Sequence, residues 1–254
     1  MRGPPALRTE DVVKSFGGLR ALDGVTLEIP PNSLTMLIGP NGSGKTTLIN
    51  VITGVYKPDR GRVLLNGRDI TGLAPHEVYR AGVSRTFQIP ALFTKLTVLE
   101  NLLVAARAQR GESPFWALVR GAWLPQEGEL VERAFRIMRI LRIDHLWDHR
   151  ASELSGGQMK LLEIGRALMS DPRVLLMDEP VAGVNPKLAH EIMDHLLRLR
   201  DRLGISLLIV EHRLDIVIPY VDVVYAMHQG RVIARGRPDE VLKNEAVIRS
   251  YLGD

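Results

Sequence analysis

The sequence predicts an α/β protein in three parts: a mostly parallel sheet with helices, an antiparallel β subdomain, and an inserted α-helical subdomain. Three observations carry this. Two continuous apolar runs, "RVLLMDEP" and "ISLLIVEH", read as strands buried on both faces, and the helical stretch "PKLAHEIMDHLLRLRDRLG" between them completes a βαβ unit. Short, β-branched, partly alternating segments fill the early chain and read as antiparallel strands. From about Pro90 to Arg150 the periodicity turns helical.

In chain order, "LRTEDVVKSF" and "ALDGVTLEI" are the first antiparallel strands. "SLTMLIG" is a buried strand that runs into "PNGSGKTTLINVITG", a Gly-rich turn followed by a helix ending at Gly54. "GRVLLNGRDITG" adds another hairpin strand. The helical stretch is expected to break at "RGESPFW" and "WLPQEGE". Within it Arg133, Arg136, Arg139 and Arg142 drift around a helix and read as a solvated face. The parallel strands then return.

Composition narrows the function. With 254 residues, 45% hydrophobic and 24% charged, the chain is long and apolar enough for a real core, which excludes a disordered protein. No apolar run reaches the roughly 18 residues needed to span a bilayer. The start "MRGPPALRTEDVV" lacks the apolar core of a signal peptide, so the expected location is the cytosol. The absence of Cys excludes a disulfide framework and thiolate metal sites. The net charge of +4 is compatible with nucleic acid, an anionic membrane surface or an Arg-rich exterior; the even spread of basic residues favours the last two.

Chemistry is concentrated at a few places. Gly39-Pro-Asn41-Gly42-Ser43-Gly44-Lys45-Thr46 fits G-x-x-x-x-G-K-[ST] between a strand and a helix, the context a P-loop requires. Its backbone N–H groups wrap phosphates, Lys45 reaches the β and γ oxygens, Thr46 is placed to ligate Mg²⁺, and Thr47 can bond the α-phosphate. Asp178 and Glu179 emerge at the end of a buried strand. Asp178 there holds Mg²⁺ through water, and Glu179 polarises the attacking water as general base. Gln88 and His212 each close a strand, and either alone is an ordinary hydrogen-bonding residue. Finally, Ser155-Gly156-Gly157-Gln158 opens an apolar-periodic run as a capping box. A capping box explains Ser155 and Gln158 but leaves the glycines without a purpose. Bare glycines at an exposed helix start suit close approach of an anion to backbone N–H groups and to the positive end of the helix dipole.

The P-loop, Gln88, Leu154-Ser-Gly-Gly-Gln158, Asp178-Glu179 and His212, in that order, resemble the ATP-binding cassette ATPases of ABC transporters over essentially the whole chain. The resemblance implies a single nucleotide-binding domain, 1–254. Residues 1–88 and 165–254 would form the RecA-like P-loop NTPase core with its antiparallel subdomain, and 89–164 the helical subdomain carrying the Ser-Gly-Gly-Gln signature. It implies ATP hydrolysis with Mg²⁺ and a head-to-tail dimer with a second ATPase subunit, identical or related. Ser155, Gly156, Gly157 and Gln158 would then face ATP held by the partner's P-loop. Phe16 stands where such proteins stack an aromatic on adenine. Gln88 would sense Mg²⁺ and the γ-phosphate, and His212 would contact the γ-phosphate and the attacking water. One departure stands out: the family's usual Asp after Glu179-Pro180 is Asn185 here.

"VAGVNP", "RTFQIPALFTKLTVLENLLVA" and the ending "AVIRSYLGD" are similar to the ATP-binding subunits of branched-chain amino-acid importers, the larger one in particular. Importers of urea or amides and the ATPase of lipopolysaccharide export share parts of this pattern; Asn185 and a longer insert near Gln109–Glu129 tilt the reading toward import. The resemblance implies a separate membrane permease, docking near Ile89–Leu99, a periplasmic or extracellular solute-binding protein, and a place on the inner face of the membrane. Within the docking segment Ile89, Leu92, Phe93 and Leu96 are the large apolar residues. A soluble cassette ATPase acting on nucleic acid is disfavoured, because the chain holds one cassette and no sustained heptads.

Overall fold

Apolar runs without polar interruption end in the middle of a sheet, and the computed structural model places them there. It describes residues 4–86, 91–107, 109, 111 and 120–252. The chain divides into two units, Met1–Gln88 with Arg173–Asp254, and Ile89–Pro172.

The first unit carries all ten named strands. In chain order they are β1 (Leu7–Phe16), β2 (Leu19–Ile29), β3 (Leu34–Ile38), β4 (Arg60–Leu65), β5 (Arg68–Asp69), β6 (Val83–Arg85), β7 (Val174–Asp178), β8 (Ser206–Val210), β9 (Val223–His228) and β10 (Arg231–Gly236). They form a four-stranded sheet of order β2-β1-β4-β5 and a six-stranded sheet of order β10-β9-β3-β8-β7-β6. The smaller sheet is antiparallel throughout. In the larger one β9, β3, β8, β7 and β6 run parallel, and only β10 is antiparallel, paired with β9. Every residue of β3 and β8 is buried, as a strand covered on both faces requires. The β4–β5 hairpin turns through Asn66 and Gly67, both at positive φ, the Asn-Gly chemistry that suits a tight hairpin.

The helices of this unit are α1 (Lys45–Ile52) and α2 (Pro75–Ala81), followed after the inserted unit by α6 (Pro186–Leu203), α7 (Leu214–Val217), α8 (Pro238–Leu242) and α9 (Glu245–Leu252). Helix α6 starts at the cap Asn185, with Pro186 in its first turn, and stops at Gly204 in the left-handed conformation. Register places Leu37, Asp178 and Val210 level with one another, so β3, β7 and β8 deliver their following loops to one carboxyl edge.

The second unit is helical: α3 (Val98–Val104), α4 (Arg120–Leu141) and α5 (Gly156–Met169). Gly165 of α5 packs directly against Leu102 of α3 and Leu141 and Ile137 of α4; a Cβ there would lie 3.0 Å from Leu102. Two features differ from the sequence reading. No break occurs at "WLPQEGE", since α4 runs through Pro125. Proline there removes a single helical hydrogen bond near the beginning of a 22-residue helix, and the remaining turns carry it. The second chain crossing falls at 172/173, not at 164/165. Helix α5 continues unbroken to Met169, and Arg133 of α4 holds its end by bonding Leu168 O at 3.1 Å and Asp171 Oδ1 at 2.9 Å. Arg133 is thus a tie, while Arg136, Arg139 and Arg142 remain exposed. Among the described residues no helix is long and apolar enough to cross a membrane.

Candidate functional site

The loop after β3 is shaped by what surrounds it. A Cβ on Gly39 would sit 2.2 Å from Met227 O, and one on Gly44 would sit 2.6 Å from Ala21 O; both residues have positive φ. Only glycine fits at either place. The β9–β10 turn backs the loop, with the Gly230 N–H donating to Ser43 O at 3.0 Å. On the other side Gly42 faces open space, and Asn41 and Thr46 are exposed. Helix α1 begins behind this loop with Gly44 as its cap, no side-chain hydrogen bond at the cap and no acidic residue in its first turn. A bare helix N-terminus beneath an open, glycine-lined turn has the shape and polarity that phosphate requires.

Lys45 is buried, and its Nζ donates to Gly39 O at 2.7 Å and Pro40 O at 3.0 Å. Burial lowers its pKa below the ordinary lysine value, opposed by the charges of Asp178 and Glu179. The same two carboxylates therefore act on this ammonium. Asp178 closes β7 and pairs with Arg85 of β6 at 3.2 Å, and Arg85 also donates to Asn50 of α1 at 2.7 Å. Glu179 follows in the left-handed region at φ 51, a conformation that costs a residue with a Cβ roughly 1 kcal/mol or more and that clusters at functional sites. Its N–H donates to Val210 O at 2.8 Å, and its Oε1 stands 3.6 Å from His212 Nε2.

Phe16, at the end of β1, is 42% exposed and so is not a core residue. Its ring meets Tyr56 edge-on at 5.1 Å, with Lys14 Nζ 5.5 Å from the centroid. Asp59 fixes this corner by accepting from Lys14 Nζ at 2.8 Å and from Ser15 N–H at 2.6 Å.

The first unit thus brings together the P-loop, Asp178, Glu179 and His212. Gln88 and Ile89 lie outside the described residues. Ser155 through Gln158 belong to the second unit, where the capping box forms: Ser155 Oγ accepts from Gln158 N–H at 3.4 Å, and Gln158 Oε1 accepts from Ser155 N–H at 2.8 Å. The two glycines differ. Gly156 is exposed, and a Cβ on it would meet nothing within 4 Å, whereas Gly157 is buried. The expectation of an exposed helix start therefore holds for Gly156 and is corrected for Gly157, whose side of the first turn lies against the protein. Within the docking segment Phe93 is 48% exposed, its ring 5.0 Å from the Arg166 guanidinium, and buried Asn101 grips both its N–H and its C=O at 3.0 Å.

Sequence reasoning passed over Glu211 and Arg213. Glu211 is 2% exposed and accepts the Val181 N–H at 2.8 Å; Arg213 Nη1 donates to Val184 O at 2.8 Å. The available signal was an acidic residue continuing the apolar run of β8, a place where a carboxylate must find N–H partners.

Comparison with known proteins fits this arrangement. The family model "ABC transporter" matches residues 22–182, and "Branched-chain amino acid ATP-binding cassette transporter" matches residues 231–254. The chain is 52% identical over 252 residues to the probable branched-chain amino acid transport ATP-binding protein LivG of Methanocaldococcus jannaschii, covering 98% of this chain and 97% of the relative. It is 38% identical to the high-affinity branched-chain amino acid transport ATP-binding protein LivG of Escherichia coli K12, covering 98% of each. A crystal structure of the ADP conformation of an ATP-binding cassette of an ABC transporter superposes with a TM-score of 0.86 at 51% identity, covering 98% of this chain and 99% of that one.

Proposed function

This chain belongs to the ABC transporter family, and on that premise we propose that it is the ATP-hydrolysing subunit of an importer for branched-chain amino acids. The observation that carries the chemistry is the convergence on one sheet edge of a buried lysine, two carboxylates and an imidazole beside a bare helix N-terminus.

ATP is the substrate, and each residue has a task. The N–H groups of the Gly39–Thr47 loop receive the phosphates, with Gly39, Asn41, Gly42, Ser43 and Gly44 giving it shape and access. Lys45 exchanges its loop carbonyls for β and γ oxygens, and Thr47 bonds the α-phosphate. Phe16 offers the exposed ring face on which adenine stacks. Glu179 takes the proton of the attacking water, His212 holds that water and the γ-phosphate, and phosphate leaves with ADP as the other product. Thr46, Gln88 and Asp178, the last through water, would hold Mg²⁺, which supplies charge neutralisation at the phosphate oxygens.

Ser155, Gly156, Gly157 and Gln158 meet the ATP of a second ATPase subunit, identical or related, with the dipole of α5 behind them. Ser155 and Gly156 carry the exposed part of this surface, and Gly157 contributes through its backbone. The segment near Ile89–Leu99 receives the permease, and exposed Phe93 is its apolar contact. The subunit therefore works at the inner face of the membrane, and a periplasmic or extracellular binding protein delivers the solute. The names of the relatives favour branched-chain amino acids over urea, amides or lipopolysaccharide as cargo. The test is phosphate release from Mg-ATP by the purified chain. Lys45→Ala should abolish it, and near-normal turnover by that variant would sink the assignment.

A further inference from the structure

The turn after Glu179 poses a problem of hydrogen bonding that its own side chains do not solve. Val181 is fully buried, so its N–H needs an acceptor inside the protein. That acceptor arrives from the residue just past β8: Glu211 Oε1 lies 2.8 Å away. The second oxygen of Glu211 accepts the N–H of His212 at 3.0 Å and that of Arg213 at 3.3 Å. A carboxylate only 2% exposed is costly to bury, and these three donors compensate it. On the other side of His212, Arg213 reaches back to Val184 O at 2.8 Å. The residues on both sides of His212 therefore grip the same turn, one near its beginning and one near its end. The turn starts from Glu179, whose Oε1 faces His212 Nε2 at 3.6 Å, and ends at Asn185, whose Oδ1 caps α6 by accepting the Leu188 N–H at 2.9 Å.

We propose that Glu211 and Arg213 are positioning residues, a bracket that sets His212 against Glu179 by fixing the turn Val181–Val184. This rests on the reading above, in which Glu179 and His212 act on ATP. Neither bracket residue bonds the P-loop, so the bracket governs turnover and leaves nucleotide affinity alone.

The test uses the full-length protein, with kcat and KM from phosphate release, ADP affinity from fluorescent ADP, and folding from circular dichroism and thermal melts. Arg213→Ala removes one hydrogen bond from a half-buried side chain. It should lower kcat about tenfold, since small misplacements of reacting groups cost that much or more, with KM and ADP affinity unchanged. Arg213→Lys, whose ammonium can still donate to Val184 O, should restore most of the loss. Glu211→Gln presents an NH₂ where an acceptor is needed and should cost more than Arg213→Ala. If Glu211→Gln does not fold, the two Arg213 variants decide alone. Folded Arg213→Ala with wild-type kcat, or a raised KM at unchanged kcat, overturns the bracket. Absence of hydrolysis by the wild-type protein would overturn the functional reading itself, and so the two failures are distinguishable.

Discussion

Replacing Glu179 by Gln separates chemistry from folding and binding. The substitution keeps side-chain length and the Cβ, so the backbone strain at φ 51 is the same in both proteins. What the folded state loses includes the contact with His212, a pair at 3.6 Å whose side chains are 43% and 24% exposed, and the pull of the Glu179 charge on Lys45. Pairs of that kind contribute about 0–1 kcal/mol, which in a chain of this size is a melting shift of at most about 4 °C. Lys45 bonds its own loop, so affinity for nucleotide should hold. The barrier tells a different story, because a positioned general base contributes about 10²–10⁴ in rate, or roughly 3–5 kcal/mol. Phosphate release at saturating Mg-ATP should therefore fall by at least about a hundredfold. On the proposed reading, in which two ATPase subunits enclose ATP and hydrolysis separates them, the variant should collect as an ATP-bound dimer in size-exclusion chromatography. Turnover within about threefold of wild type would refute the assignment of Glu179 as base. A monomeric elution with Mg-ATP would refute the dimer.

Three further outcomes are expected. Gly156→Asp adds a side chain where a Cβ meets nothing, in a first turn whose dipole favours acid by about 0.3–1 kcal/mol; the melting temperature should hold or rise slightly while ATPase collapses. Loss of fold by circular dichroism would instead make that glycine structural. Asp59 is held below the ordinary carboxylate value first by Lys14 and then by the Ser15 N–H, so its contribution is complete above its unfolded value near 3.8 and is lost as pH falls through the lower folded value. Urea denaturation from about pH 5 down to about pH 2 should show a shallower acid loss in Asp59→Asn, and an unchanged slope would count against the pairing. Phe93→Asp alters an exposed ring whose backbone Asn101 holds, so basal ATPase should stay within about twofold while co-purification with the permease is lost; persistent association would remove Phe93 from the docking surface.

How much of this was legible in the sequence depends on how far apart the interacting residues lie. The parallel core was readable because burial on both faces leaves a largely apolar run in β3, β7 and β8, with Thr35 the one polar residue inside β3. Strand β10 is half exposed and irregularly alternating, and nothing in the reading assigned it or its partner β9, although their turn supports the P-loop. The P-loop and the Asp178-Glu179 pair were readable because their chemistry is written in adjacent residues. Ser155 and Gln158 were readable as a cap for the same reason, but the burial of Gly157 was not, since a helix start is exposed by local rules and only packing says otherwise. Asn185 shows the reverse case. It departs from the family pattern, yet Asn caps a helix as well as Asp does, and the structure uses it so.

Glu211 is the sharpest instance, because its partner is Val181, on a different strand connection, and that partner is a backbone N–H common to almost any residue. No spacing rule marks such a contact. Sequence motifs therefore mark the groups proposed to touch ATP, while the bracket proposed for two of them, Glu179 and His212, is built from residues outside every motif. A chain with Gln at 211 would keep all five motifs intact, and only its kinetics and stability would register the change.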